Sequence, residues 1–106
     1  MKIEGLWATR AVTVDGRPLS PKPSQRVWNH SPDGFNWSYG GSGPAKLALA
    51  ILLAAGLKKD EAVTLHQAFK WAVIAPLPSG DFAIDIDVMA WVELQRLRFR
   101  SDESPS

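Results

Sequence analysis

Cysteine is absent from the 106-residue chain. That excludes a disulfide framework and a thiolate metal site, so the fold must rest on its own core. Neither sign of charge predominates: 12 Lys and Arg stand against 11 Asp and Glu, a formal net charge of +1. The balance argues against a strongly basic nucleic-acid binder and equally against an acidic mimic of DNA. Histidine is scarce, at two residues; a metal site would have to join His30 and His66 to a further ligand, since three convergent protein ligands are the usual minimum. No apolar run approaches the roughly 20 residues needed to cross a bilayer. The opening MKIEGLWATR lacks the apolar stretch of a signal peptide, which makes a cytoplasmic location the expectation. No Ser-His-Asp arrangement, repeat or low-complexity tract is legible.

What the chain does have is tryptophan, five of them, and one stretch around which the rest is organised. Phe35 to Leu57 reads FNWSY, then GGSGP, then AKLALAILLAAGL. Pro44 suits the first turn of a helix, where its missing N–H costs nothing. Ser42 or Gly43 is then the N-cap. Ala45 to Ala55 contains no breaker, Gly56 fits the left-handed position past the end, and Leu57 can close back on Leu52. With Lys46 its single charge, this helix lacks a polar face and must be covered on nearly every side. It is a core helix.

The remainder reads as one α+β domain over residues 1–100, with a frayed tail at 101–106. Lys2–Ala8 and Ala11–Val14 are strands, followed by Asp15-Gly16, the dipeptide of tight hairpin turns. SPKPS at 20–24 reads as a loop, because its prolines remove backbone donors. Gln25–His30 and Phe35–Tyr39 are expected to form a second hairpin about Ser31-Pro32-Asp33-Gly34, with Trp28 opposite Trp37 and Arg26 opposite Tyr39. A helix is expected over Glu61–Ala75, capped by Asp60, burying Ala62, Leu65, His66, Phe69, Ala72 and Val73. A short strand at Asp81–Ile84 precedes a last helix, from a cap at Asp85 to about Leu97, with Val88, Trp91, Leu94 and Leu97 as its apolar stripe. The architecture is thus an antiparallel sheet of three to five short strands packed with about three helices, the helix at 44–55 innermost.

Over NHSPDGFNWSYGGSGPAKLALAIL, residues 29–52, the sequence resembles a family of small, uncharacterised bacterial and bacteriophage proteins. Their shared pattern is N-H-S-P-D-G-F-x-W-x-Y-G-G-S-G-P-A-x-L-A-L-A-I-L. The family continues with a helix bearing F-K and another containing A-W, here Phe69-Lys70 and Ala90-Trp91, so the likeness covers most of the chain after Val14. Relatives carry glycine where Ser38 stands. The resemblance implies a prokaryotic or phage source, in some cases a mobile element, and brings no activity, cofactor or catalytic residue.

Four groups of residues are candidates for chemistry. Gly41, Ser42 and Gly43 precede a helix whose free N–H groups could cradle a phosphate or nucleotide, with Lys46 one turn in. The Gly-Lys-Ser/Thr ending of a P-loop is missing, and glycines also let an aromatic segment turn sharply into a packed helix. Asn29, His30 and Asp33 gather polar groups at one turn and are candidates, with Trp71, for a protein interface. A histidine near a carboxylate could also shuttle protons or bind a metal, although Asp33 is more simply a turn cap and His30 an edge of the aromatic face. Trp71 falls off the apolar stripe of its helix, beside Val63, Gln67 and Ile74; exposed, it would mark a protein-binding patch, whereas burial under the last helix would make it core. Arg96, Arg98 and Arg100 could contact nucleic-acid phosphates, but cations are favourable at a helix C-terminus in any case, and Asp102 and Glu103 follow. The expectation is therefore a non-enzymatic, cofactor-free protein that binds a protein partner, such as a phage modulator of a host process. A small-ligand binder using the glycine turn is the alternative, and a weak nucleic-acid binder a second one.

Overall fold

The computed structural model describes residues 1–27 and 34–103, with side chains through Arg98. Three strands, β1 (Lys2–Gly5), β2 (Val12–Val14) and β3 (Arg17–Pro18), open the chain, and β4 (Phe82–Asp85) joins them late. The sheet is antiparallel in the order β3-β2-β1-β4, with Ile3 between Val14 and Ile84 and Gly5 between Val12 and Phe82. Alternation along β1 buries Ile3 and Gly5 and exposes Lys2 and Glu4. The Phe82 ring lies across Gly5, where a Cβ would come within 2.3 Å of it, so this crossing needs glycine. Asp15 (φ 51°) and Gly16 (φ 81°) form the expected two-residue turn, both in the left-handed region.

Helix α2 (Ser42–Ala54) is the centre of the molecule: every residue from Gly43 to Leu52 is buried. Each Leu or Ile so covered contributes roughly 1.5–3 kcal/mol. Gly41, rather than Ser42 or Gly43, is its N-cap; Pro44 still falls in the first turn, and no side chain caps the end. At the other end Gly56 (φ 100°) donates to the Leu53 carbonyl and Leu57 to that of Leu52, closing a Schellman cap. Phe35, Trp37, Ile3, Val12, Phe82, Val88 and Val92 complete a contiguous core around α2.

The second expected hairpin is not formed. Lys22–Val27 is a short helix, α1. Pro21 and Pro23 sit at its start, where a missing N–H is harmless, Ser20 Oγ accepts from the Lys22 N–H, and Gln25 donates to Pro21. Phe35–Tyr39 runs irregularly into α2, with Ser38 at φ 79°. Phe35 and Trp37 nonetheless both point inward. Arg26 lies exposed in the last turn of α1 rather than opposite Tyr39. Trp28, Asn29, His30 and Asp33 lie outside the described residues.

Helix α3 (Lys59–Phe69) is capped at Lys58, two residues before the expected Asp60, leaving Asp60 and Glu61 in the positive first turn. It passes directly into a π-helical turn, Lys70–Ile74, closed by Ala75 N–H to the Lys70 carbonyl at 2.8 Å. The wider turn shifts the phase of the stripe. Lys70 and Ile74 become buried, while Ala72 is exposed and Val73 only half-buried, contrary to the regular pattern. Helix α4 (Val88–Glu103) begins after Asp87, whose carboxylate caps the Ala90 N–H at 2.9 Å, and it continues past Leu97 because no breaker intervenes. Its buried positions are Val88 and Val92, with Trp91 edge-on to Phe69 at 5.1 Å; Leu94 and Leu97 are exposed, correcting the predicted stripe.

Candidate functional site

The glycine turn between Trp37 and α2 is where sequence and packing concentrate the polar and aromatic groups. Trp37 anchors it from below: wholly buried, its indole N–H donates to the Gly80 carbonyl at 2.9 Å. Its ring meets Phe82 and Trp7 edge-on at 4.9 and 5.6 Å. Ser38 follows in the left-handed region, with its N–H on the Ile74 carbonyl at 3.2 Å and its hydroxyl 2.7 Å from that of Ser79. The chain is thereby pinned to the end of the π turn, and Tyr39, Gly40 and Gly41 pass over its outer side.

The space a side chain would take at each glycine is filled by the protein's own side chains. A Cβ on Gly40 would lie 2.1 Å from the Trp71 ring, one on Gly41 2.4 Å from the Tyr39 ring, and one on Gly43 2.6 Å from Asn36 Cβ. Lys70 is buried beside them, donating from Nζ to the Gly40 carbonyl at 3.0 Å and lying 4.5 Å from the Trp71 ring centre. The π turn makes this possible. It turns Lys70 in toward the glycines and leaves Trp71 lying flat on Gly40 with 60% of its surface open. Tyr39, on the neighbouring glycine, is 50% open. The outcome is two exposed rings seated on neighbouring glycines.

Of the anion-site candidates, Gly41 caps α2, Ser42 is exposed on its first turn, Gly43 is packed under Asn36, and Lys46 is wholly buried. Arg96 is held by Glu61 through both carboxylate oxygens, at 2.5 and 2.8 Å, and by Glu93. These bonds raise the Arg96 pKa and lower that of Glu61, and they tie α4 to α3. Arg98 is exposed on α4, and the side chain of Arg100 lies outside the description. His66 is buried, its Nδ1 2.6 Å from the Val63 carbonyl; burial is the main cause holding its pKa below the ordinary value. Among the described residues no group of three or more His, Cys, Asp or Glu could hold a metal ion.

Sequence reasoning singled out Trp71 correctly as lying off the stripe but missed its partners. The adjacency of Gly40 and Trp71 is a tertiary contact with no local signature. Asn36 and Arg10 were missed too: Arg10 Nε donates to Asn36 Oδ1 at 3.1 Å, and its guanidinium lies 3.6 Å over Trp7. The three-residue spacing of Trp7 and Arg10 was the available hint.

A family profile matches residues 5–94, which takes in β2 to β4, the glycine turn, the π turn and the start of α4 up to Leu94. The chain belongs to DUF6166, a family of unknown function. Comparison with curated proteins and with solved structures returns no match. The DUF6166 region thus includes every residue of the aromatic pair and its support. Among the described residues no helix is long and apolar enough to cross a membrane.

Proposed function

We propose that this DUF6166 protein is a non-enzymatic interaction module that docks a protein partner on the Trp71–Tyr39 surface. The observation that carries the reading is Trp71: a large ring, 60% open, held flat on a glycine and flanked by a buried lysine. Tryptophan and tyrosine dominate the energetics of protein interfaces because they bury much area at little entropic cost. A rigid support lowers that cost further. The reading extends to context: the motif over residues 29–52 suggests a bacterial or phage source, and a small partner-binding protein of that origin suits the modulation of a host process such as defence. The filled glycines favour this over a phosphate or nucleotide seat at the same turn. The engagement of Arg96 by Glu61 and Glu93 likewise favours it over nucleic-acid binding.

The test is paired affinity capture from a bacterial host lysate, using the wild-type protein and a Trp71→Ser variant of matched thermal stability. A host protein retained by the first and lost by the second supports the proposal. Identical retention by both overturns it.

A further inference from the structure

Arg10 is the most elaborately positioned cation among the described residues, and the Trp71 surface does not use it. Its backbone sits at φ 61°, a conformation that ordinary residues rarely adopt, and is held there by an N–H bond to the Leu6 carbonyl at 2.7 Å. Its guanidinium is stacked on Trp7, with its carbon 3.6 Å from the ring centre, and lies 5.7 Å from that of Trp37. Nε is fixed by Asn36 Oδ1, which is itself fixed by accepting the Trp37 N–H at 2.9 Å. Stacking and the Nε bond immobilise the plane of the group. Its two terminal amino groups make no hydrogen bond or ion pair to another described residue. An arginine fork so fixed is prepared for bidentate recognition of a planar anion, with most of its rotamer entropy already lost on folding.

Arg10 also lines a cleft of about 350 Å³ between the β2–β3 hairpin and the start of the Phe35 segment. The other walls are largely apolar: Ala11, Val12, Pro18, Leu19, Pro21 and Phe35. Among the described residues no acidic one lines it. One fixed cation in an apolar wall selects a single negative charge attached to an apolar body, and the volume falls in the range of small-molecule sites. We infer that this cleft binds a carboxylate bearing an apolar group, with the Arg10 fork on the carboxylate and the apolar group against Leu19 and Phe35. The same chemistry is offered by a free short-chain acid and by the apolar C-terminal residue of a polypeptide.

Titration calorimetry, with tryptophan fluorescence as a second readout because Trp7 lies under the guanidinium, tests this on the full chain. The probes are hexanoate, N-acetyl-leucine, N-acetyl-leucinamide and inorganic phosphate. Saturable binding of at least one of the two acids is expected, without binding of the amide. Hexanoate alone identifies a free acid as the source, and N-acetyl-leucine alone a chain terminus. Arg10→Gln should weaken binding about tenfold or more, the usual loss for a charge-assisted pair. Arg10→Lys should also weaken it, since charge remains but the fork does not. Leu19→Glu, at a half-buried wall position, should repel the acids even if Arg10 variants fold poorly. Trp71→Ser should leave the titration unchanged, so this site and the docking surface fail separately. No saturable binding of either acid, equal binding of the amide or of phosphate, or full affinity in both Arg10→Gln and Leu19→Glu would overturn the assignment.

Discussion

Replacing Trp37 by phenylalanine probes the joint between the core and the glycine turn. Trp37 is wholly buried, so nothing it loses is returned to water. The indole N–H bond to the Gly80 carbonyl disappears, at about 1 kcal/mol, and the partly covered carbonyl left behind adds up to about 1 more. The smaller ring also withdraws atoms from the contacts with Phe82 and Trp7, worth on the order of 0.8 kcal/mol per buried carbon-sized group. Together these give about 3 kcal/mol, a large share of the 5–15 kcal/mol by which domains are usually stable. Urea unfolding followed by far-ultraviolet circular dichroism should show the midpoint falling by roughly 1–3 M with an unchanged slope. Trp71→Phe, at the exposed ring, is the control and should change stability by no more than about 0.5 kcal/mol. If Trp37→Phe costs less than about 1 kcal/mol, or no more than the control, the anchoring role assigned to Trp37 is wrong.

Gly40→Leu should dislodge the Trp71 ring from its seat, so partner capture should fail while thermal stability falls only modestly; retained capture would show that the flat placement of Trp71 is irrelevant. Gly56→Ala puts a Cβ on a residue at φ 100° and should cost about 1 kcal/mol or more in chemical denaturation, through backbone strain alone, because nothing lies within 4 Å of the added atom. Acidification should destabilise the fold through His66. Its folded pKa is lowered, so between that value and the unfolded value of about 6.5 the unfolded chain binds more protons, and stability falls as pH drops through this window, by at most about 1.4 kcal/mol per unit. Unfolding curves from pH 7.5 to 5.5 should show a steeper decline for the wild type than for His66→Gln. Finally, Arg96→Ala should loosen α4 from α3, seen as faster amide exchange in α4, and the difference from wild type should shrink as salt is added.

The features legible in the sequence are those whose chemistry is local. The Asp15-Gly16 turn, the glycine cap after α2 and the nearly unbroken apolar run of α2 each follow from residues a few positions apart. The second hairpin was misread for an equally local reason: Phe35 and Trp37 alternate as in a strand, but the left-handed Ser38 and the tie to Ile74 are supplied from elsewhere in the fold. The prolines at 21 and 23 remove donors in a loop and in a first helical turn alike, and only the neighbours decide which. In α3 the π turn shifts the stripe by one residue, so Ala72 and Val73 were expected inside where Lys70 and Ile74 are found. The candidate surface was visible only as a tryptophan out of phase. Its seat on Gly40 and the stack of Arg10 on Trp7 depend on distant segments meeting, which periodicity does not report.

The brevity of β3 has a consequence for how this molecule behaves in a crowd. The outer margin of the sheet on that side is two residues long, and one of them, Pro18, has no N–H to offer a visiting strand. A neighbouring chain arriving there finds too few donors to extend the ladder, and the exposed Arg17 adds a charge, so self-stitching into fibrils is discouraged at that border.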